Sequence, residues 1–208
     1  MNNAKIRILL VSLAIITLFS ACAGKEPFVP YFPGYEPGYK PDWYLEAPPN
    51  VTITINGIDM PYELERTGWN GQPGYDEIPF TKLIKNRKFS KLRVLRSNTQ
   101  VFSTDSVVTV KFDSNTPHGA GAVLKMLDHT GEDMSSDLLD SKLEGDTLTF
   151  NLNSKESEEY REEDPTLCGV IVGCIWGKDG KIDEEEDDFD NVAYQCSYRF
   201  LIRIQFAK

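Results

Sequence analysis

The residues from which enzymes build most active sites are scarce in this sequence. The 208 residues include two histidines, His118 and His129, and four cysteines. The chain contains no Gly-x-Ser-x-Gly, no His-Glu-x-x-His and no phosphate-binding glycine loop, the signatures of common hydrolases, metalloproteases and nucleotide-binding proteins. Asp128-His129 is followed by Thr130-Gly131, a pattern typical of a β-turn rather than of a catalytic pair. We therefore predict a protein that is not an enzyme.

Positive charge and long apolar runs are also in short supply. Lysine and arginine number 22 against 32 aspartates and glutamates, so the formal net charge is −10. Nucleic-acid binding depends on clustered Lys and Arg, so we expect no nucleic-acid partner for an acidic chain of this kind. Beyond the amino-terminal segment, no apolar run approaches the roughly 20 residues that a membrane-spanning helix needs.

The amino-terminal segment is typical of an export signal. Lys5 and Arg7 form a short basic region, and an apolar run follows from Ile8 to Phe19. A run of about 12 residues is too short to span a bilayer, and its flanks are those of a cleaved signal peptide. The run ends in Phe19-Ser20-Ala21-Cys22, where small residues precede a cysteine. Residues 1–21 are therefore predicted to be a signal peptide.

The Phe19-Ser20-Ala21-Cys22 stretch resembles the lipobox of bacterial lipoproteins. The resemblance implies cleavage before Cys22, attachment of a diacylglycerol to its thiol, and acylation of the new amino terminus, commonly by palmitate. Two or three acyl chains, at about 0.8 kcal/mol per buried CH2, give stable anchoring where one chain is marginal. An ordinary secreted protein with an incidental Cys22 is the less favoured alternative. Cleavage leaves 20 basic against 32 acidic residues, a net charge of −12.

The residues after the cysteine bear on the cellular location of the protein. Ala23-Gly24-Lys25-Glu26 loosely resembles the tags that follow the lipidated cysteine in surface-exported lipoproteins of Gram-negative gut anaerobes. The resemblance implies the outer membrane, with surface display favoured over a periplasmic location.

Residues 22–50 are predicted to form a lipidated linker rich in proline and tyrosine. Seven prolines fall between positions 27 and 49, a density that prevents regular ladders and favours extended polyproline structure. We expect a semi-rigid stalk. Its aromatic residues leave two alternatives, docking onto the domain, which is favoured, or contact with a ligand. These aromatic residues are Tyr31, Phe32, Tyr35, Tyr39, Trp43 and Tyr44.

From position 51 onward the pattern is that of β-strands, and residues 51–208 are predicted to form one domain. Residues 51–55 alternate with period two, and Asn56-Gly57 is a strong signal for a type I′ hairpin turn. A short helix is expected at 80–88. Further strands are expected at 58–64, 92–96, 106–112, 122–127, 147–152, 167–176 and 193–206. Many short strands separated by turn signals predict an all-β fold, a single antiparallel, immunoglobulin-like β-sandwich.

The last two strands are expected to pair as a hairpin. Residues 167–176 are apolar on both faces and so central, whereas 193–206 alternate between a core face and a solvent face. Cys174 would then be a diagonal neighbour of Cys196, about 7–8 Å away at Cα and beyond the usual disulfide span. Two alternatives follow. A small register shift allows a Cys174–Cys196 disulfide, or these two and Cys168 remain buried thiols.

The segment between those strands is the strongest candidate for a metal site. Seven carboxylates fall in the eight residues 183–190, and calcium takes six to eight oxygen ligands. Part of this segment resembles the second half of an EF-hand loop, but the first half lacks its acidic ligands. A solvated hairpin tip is favoured over a calcium site, and no other cofactor is expected. The candidate calcium ligands are Asp179, Asp183, Glu186 and Asp187.

Two further features are candidates for ligand binding. A basic block with no acidic residue spans positions 82–96; it either binds an anionic ligand or, as we favour, pairs with the acidic loops of its own fold. Trp69 lies in a predicted loop and is the tryptophan most expected to be exposed, whereas Trp176 is expected in the core. The candidate ligand-binding residues are Trp69, Lys82, Lys85, Arg87 and Lys88.

In its organisation the whole chain resembles small lipoproteins of Gram-negative gut anaerobes that carry a signal, a lipidated cysteine, a proline-rich stalk and one immunoglobulin-like β-sandwich. That resemblance implies no activity. The first hypothesis is a non-catalytic binding or accessory module of the outer membrane that holds a glycan or a protein ligand. The alternative is a structural or assembly subunit of an envelope or pilus complex.

Overall fold

The domain is built from two β-sheets that pack against each other. The computed structural model describes residues 36, 39–40, 44–69, 79–85, 100–153, 165–178 and 192–206. The chain divides into two compact units, Met1–Tyr39 and Lys40–Lys208. Within the described ranges no helix is both long and apolar enough to cross a membrane. The predicted signal peptide and Cys22 lie outside the described residues.

In the part of the chain that the structure describes, the first sheet, sheet A, has five antiparallel strands in the order β2-β1-β5-β9-β8. Its strands are β1 Val51–Ile55, β2 Ile58–Met60, β5 Val107–Phe112, β8 Ser141–Glu144 and β9 Thr147–Asn151. The turn between β1 and β2 is the one predicted, because Asn56 has φ 50° and Gly57 has φ 80°, the two positive angles that a type I′ turn requires. Pro61, which cannot donate a ladder hydrogen bond, follows directly after β2.

The second sheet, sheet B, has the order β3-β11-β10-β6-β7, with the short strand β4 pairing in parallel with the end of β11. Its strands are β3 Glu63–Gly68, β4 Phe102–Ser103, β6 Gly119–Leu127, β7 Asp133–Leu139, β10 Thr166–Gly177 and β11 Val192–Gln205. One helix, α1, spans Phe80–Lys85 in the described chain. The predicted all-β sandwich is confirmed. Immunoglobulin domains hold seven or nine strands, so the likeness lies in the two packed sheets rather than in the number of strands.

The main core lies between the two sheets. The inward-facing residues alternate from Cys168 to Trp176 in β10 and from Tyr194 to Ile204 in β11, and they are at most 3% exposed. One face of β11 is therefore core, as predicted. β10 lies between β11 and β6, which confirms that it is central. Across the core, Ile53, Val110 and Leu148 of sheet A are equally buried. Burial of apolar surface at about 25 cal/mol per Å² is the main force that holds the sheets together.

A second, smaller layer covers part of the outer face of sheet B. Phe80 and Leu83 of α1 pack with Leu127 and Leu201. The expectation that the second face of β11 is solvated is therefore wrong in its middle, where Ser197 is 6% and Arg199 is 4% exposed. A neighbouring strand and this helix bury that face, which strand alternation alone does not reveal.

The last residues of the predicted linker pack on the domain. Pro48 and Pro49 are buried, the Leu45 amide donates to the Tyr194 hydroxyl at 3.1 Å, and the Tyr198 hydroxyl donates to the Pro49 carbonyl at 2.7 Å. Residues 45–49 therefore dock on the domain, whereas the docking expected of the aromatic residues of the linker stays a prediction. Most of the remaining linker lies outside the described residues.

Candidate functional site

A groove of about 730 Å³ opens at one side of the sandwich, where the chain crosses from sheet B to sheet A. Leu139 ends β7 and pairs with Ala122, whereas Ser141 begins β8 and pairs with Phe150 of β9. Asp140 makes the crossing. The volume lies within the range of roughly 300–1,000 Å³ typical of ligand pockets. Its lining residues are Gly121, Leu138, Leu139, Asp140, Ser141, Asn151 and Asn153.

The polar side chains of the groove are presented by the ends of two strands. Asn151 closes β9, Leu152 is buried, and Asn153 is exposed like Asn151; the period-two alternation of an extended chain therefore places both amides on one face. The Leu152 amide donates to the Ser106 carbonyl at 3.2 Å, which fixes this end of the chain on its neighbour. In the described part of the chain, the Asn151 and Asn153 side chains make no hydrogen bond that would compete with a ligand.

The groove combines one carboxylate, two carboxamides and one hydroxyl with an apolar platform. Leu138 is 75% exposed and is the most exposed large hydrophobic side chain among the described residues. Gly121 has no side chain to occupy the groove. A Cβ added there would meet no atom closer than the Ser141 Oγ at 3.9 Å, so the space beside Gly121 is open. Such a lining can donate and accept several hydrogen bonds at once while an apolar surface contacts Leu138. It suits an uncharged ligand that carries many hydroxyl or amide groups.

The described lining residues of the groove do not combine a nucleophile with a base. Among them Ser141 carries the one hydroxyl, and neither His118 nor His129 is included. His118 Nδ1 accepts a hydrogen bond from the Gly177 amide at 2.9 Å, a contact that joins the β5–β6 connection to the end of β10. Among the described residues, no cluster of three or more His, Cys, Asp or Glu side chains is placed to hold a metal ion.

Asp128 and His129 lie in the turn that the sequence predicted. Asp128 Oδ1 accepts hydrogen bonds from the Thr130 hydroxyl at 2.7 Å, the Thr130 amide at 2.8 Å and the Glu132 amide at 2.9 Å. These bonds, led by that from the Thr130 side chain, hold the pKa of Asp128 below its usual value. The Asp128 carboxylate therefore stabilises the turn in which it lies.

Trp69 is buried, and the expectation that it is exposed is wrong. It directly follows β3 and is 4% exposed. Its ring packs edge-on against Trp176 at a centroid distance of 5.3 Å and lies 4.6 Å from the ring of Tyr194. Trp176 is in the core, as predicted, and its Nε1 donates to the Asn115 carbonyl at 2.8 Å. A ring this enclosed has no free face for stacking on a sugar.

The other predicted site residues divide between the surface and the undescribed segments. Lys82 and Lys85 are exposed on α1, where cations near the carboxyl end of a helix complement its dipole; neither lines the groove. The lipidation site Cys22, the candidate calcium ligands Asp179, Asp183, Glu186 and Asp187, and the basic residues Arg87 and Lys88 lie outside the described residues.

Cys174 and Cys196 lie in direct register across β10 and β11 rather than as diagonal neighbours. Both are buried, and both are free thiols, as is Cys168. Burial raises the pKa of Cys168 to about 12. The hydrogen bond to Cys196, followed by burial, raises the pKa of Cys174.

Comparisons with known proteins add no relative. No protein-family model, no curated protein and no solved structure matches this chain.

Proposed function

We propose that this chain is an outer-membrane lipoprotein, anchored through Cys22, whose β-sandwich is a non-catalytic binding module for a glycan or protein ligand, with a glycan favoured. The single observation that supports ligand binding is the groove at Asp140, with its two exposed amides and its exposed leucine. The outer-membrane location is inferred from the sequence: the short basic region, the short apolar run and the lipobox-like Phe19-Ser20-Ala21-Cys22.

A glycan is favoured over an ionic ligand because of the chemistry of the lining. Sugar hydroxyls donate and accept hydrogen bonds; the two carboxamides can both donate to them and accept from them, and the carboxylate accepts. Among the described lining residues there is no lysine, arginine or histidine, so these residues offer no cation to an anionic ligand. The apolar patches of a sugar ring would contact Leu138.

The binding test compares full-length variants on an array of neutral oligosaccharides. Asn151→Ala/Asn153→Ala removes both amides from exposed positions, and we expect a loss of affinity of roughly 5-fold to 150-fold, since two hydrogen bonds contribute roughly 1–3 kcal/mol. The matched control is Gln195→Ala, which removes an exposed amide outside the groove. Binding that is equal in the double variant and the wild type would overturn the groove as the site.

The location is tested separately by protease treatment of intact cells. Digestion of the domain while the outer membrane stays sealed supports capture at the cell surface. Survival of the domain until the cells are permeabilised would place it in the periplasm and favour assembly or envelope maintenance.

A second candidate, a subunit of an envelope assembly, is favoured by the edge strand β7. Among the described strands β7 pairs only with β6, and its side chains Met134 and Leu138 are 45% and 75% exposed. An extended segment of a partner protein can pair with such an edge through main-chain hydrogen bonds. Met134→Asp, at an exposed β7 position outside the groove lining, should abolish co-purification of a protein partner if this candidate is correct. If the groove binds glycan alone, no protein partner should co-purify with the wild type and Met134→Asp should leave glycan binding unchanged.

A further inference from the structure

The pairing of β10 with β11 places two cysteines opposite each other in the core. Cys174 pairs directly with Cys196 in an uninterrupted stretch of the ladder from Thr166 to Trp176. Their side chains face the interior between the sheets, where they are 1% and 2% exposed. Directly opposed residues of an antiparallel pair have Cα atoms about 4.5 or 5.5 Å apart. Both values lie inside the span of about 4.4–6.8 Å over which disulfides form.

The two side chains also influence each other. A side-chain hydrogen bond with Cys196 is the first cause of the raised pKa of Cys174, and burial is the second. A disulfide therefore needs the two sulfur atoms to move together without a change of strand register. The register shift that the diagonal arrangement required is unnecessary, because the two cysteines are paired directly.

The third described cysteine is out of reach. Cys168 lies opposite Ile202 on β11 and opposite Met126 on β6. It is six positions from Cys174 along the same strand, which at about 3.3 Å per residue is about 20 Å. Among the described cysteines, the geometry therefore allows one pair and leaves one buried thiol.

We propose that Cys174 and Cys196 are joined by a disulfide in the exported protein and that Cys168 stays a thiol. The oxidant is the disulfide of an envelope thiol–disulfide oxidoreductase. One protein thiolate attacks that disulfide and forms a mixed disulfide, and the second protein thiolate displaces the donor. Cys174 and Cys196 lose two electrons and two protons in all, and the donor leaves as a dithiol.

The bond forms before the two sheets close. Thiolates are the attacking species, and in the folded domain both sulfurs are shielded from solvent. The exchange therefore takes place on the unfolded or partly folded chain, where the cysteines are accessible. Once folded, the core protects the bond, which closes a loop over the acidic segment 183–190.

The test maps thiols in the full chain exported with its own signal in a Gram-negative host. Cells are quenched in acid, free thiols are alkylated in denaturant, the protein is then reduced, and newly exposed thiols receive a second label. We expect the second label on Cys174 and Cys196 and the first label on Cys168. First-label modification of Cys174 and Cys196 would overturn the proposal, as would a disulfide that involves Cys168.

Thermal melting supplies an independent readout. A disulfide over a loop of this length raises the melting temperature by roughly 6–12 °C in a domain of this size. Because the folded core protects the bond, the protein is reduced in denaturant and refolded in reductant before melting. This treatment should lower the melting temperature of the wild type and of the control Cys168→Ala by that amount. It should have no effect on Cys174→Ala/Cys196→Ala. If the double variant does not fold, the labelling pattern of the wild type decides alone. A wild type whose melting temperature is unchanged by this treatment would contradict the proposal.

Discussion

The guanidinium of Arg199 lies 2.7 Å from the carboxylate of Glu65, and the two side chains are 5% and 1% exposed. The Ser197 hydroxyl donates to the same carboxylate oxygen at 2.9 Å. The ring centroid of Phe80 lies 5.8 Å from the Arg199 Cζ. The outer face of sheet B therefore holds a buried ion pair beside α1, and this pair links the edge strand β3 to β11.

Removing one partner of this pair should be far more damaging than removing both. Arg199→Met leaves the Glu65 carboxylate buried without its cation, and we expect a loss of about 3–5 kcal/mol in the free energy of unfolding. Glu65→Leu/Arg199→Met removes both charges and should recover most of that loss. Urea denaturation of the three proteins measures the difference. A double variant as unstable as the single one would show that packing, not charge, dominates here.

The exposed pair Lys142–Glu144 provides the matched control. Its side chains are 72% and 69% exposed, and exposed ion pairs contribute about 0–1 kcal/mol. Lys142→Met should therefore leave the urea midpoint almost unchanged. A loss similar to that of Arg199→Met would mean that burial does not set the strength of these pairs.

Gly169 is required by the helix that lies above it. A Cβ at this position would lie 2.5 and 2.6 Å from the Cε1 and Cε2 atoms of Phe80. Gly169→Ala should therefore displace Phe80 and lower the free energy of unfolding by about 1–3 kcal/mol, the usual cost of overpacking. The double variant Gly169→Ala/Phe80→Leu should recover part of the lost free energy of unfolding, because the smaller side chain leaves room for the added Cβ.

The control for that substitution is Gly173, four residues along the same strand. A Cβ there would meet no atom within 4 Å, so Gly173→Ala should be neutral or stabilise by about 0.4–1 kcal/mol through the unfolded chain. Thermal or urea unfolding compares the two. Equal losses at both positions would indicate that strand propensity, rather than contact with Phe80, sets the effect.

The strands with strong local signals were predictable from the sequence. β1 begins and ends where the alternation and Asn56-Gly57 predict, and β10 and β11 differ from the prediction by one residue at each end. Their side chains bury one face, so local pattern and tertiary environment agree. β7 was missed because Ser135 and Asp137 point inward opposite Met126 and Leu124. Polar residues on the inward side of an edge strand discourage aggregation but remove the alternation that predicts a strand.

The groove could not be predicted for a different reason. Its residues come from β6, the β7–β8 crossing and the end of β9, and only the topology brings these segments together. The alternation of Asn151 and Asn153 around a buried leucine was visible, but it does not say what the amides face. Trp69 was misplaced because the glycines after it suggest a loop, whereas its ring packs back on Trp176 and Tyr194.

Acid should weaken the turn at Asp128. The Thr130 hydroxyl and the turn amides hold the pKa of this carboxyl below its usual value of 3.8. A depressed pKa in the folded state contributes stability above the unfolded pKa, and that contribution is lost as the pH falls through the folded value. Thr130→Val should therefore lower the melting temperature at neutral pH, and the difference from the wild type should shrink well below pH 3.8. A constant difference would show that the hydroxyl does not stabilise the carboxylate.

Substitutions at Trp69 should separate stability from binding. Trp69→Ala removes a ring that packs on Trp176 and Tyr194, and we expect a loss of about 3–5 kcal/mol in the free energy of unfolding. Trp69→Phe keeps an aromatic ring and removes an Nε1 that has no hydrogen-bond partner among the described residues, so it should leave a smaller cavity and cost less than Trp69→Ala. Because the ring is buried and does not line the groove, affinity for the neutral oligosaccharide array should be unchanged in Trp69→Phe and lost in Asn151→Ala/Asn153→Ala. A Trp69→Phe protein that unfolds like the wild type but no longer binds would instead place the ligand on Trp69, in a conformation that opens this aromatic cluster.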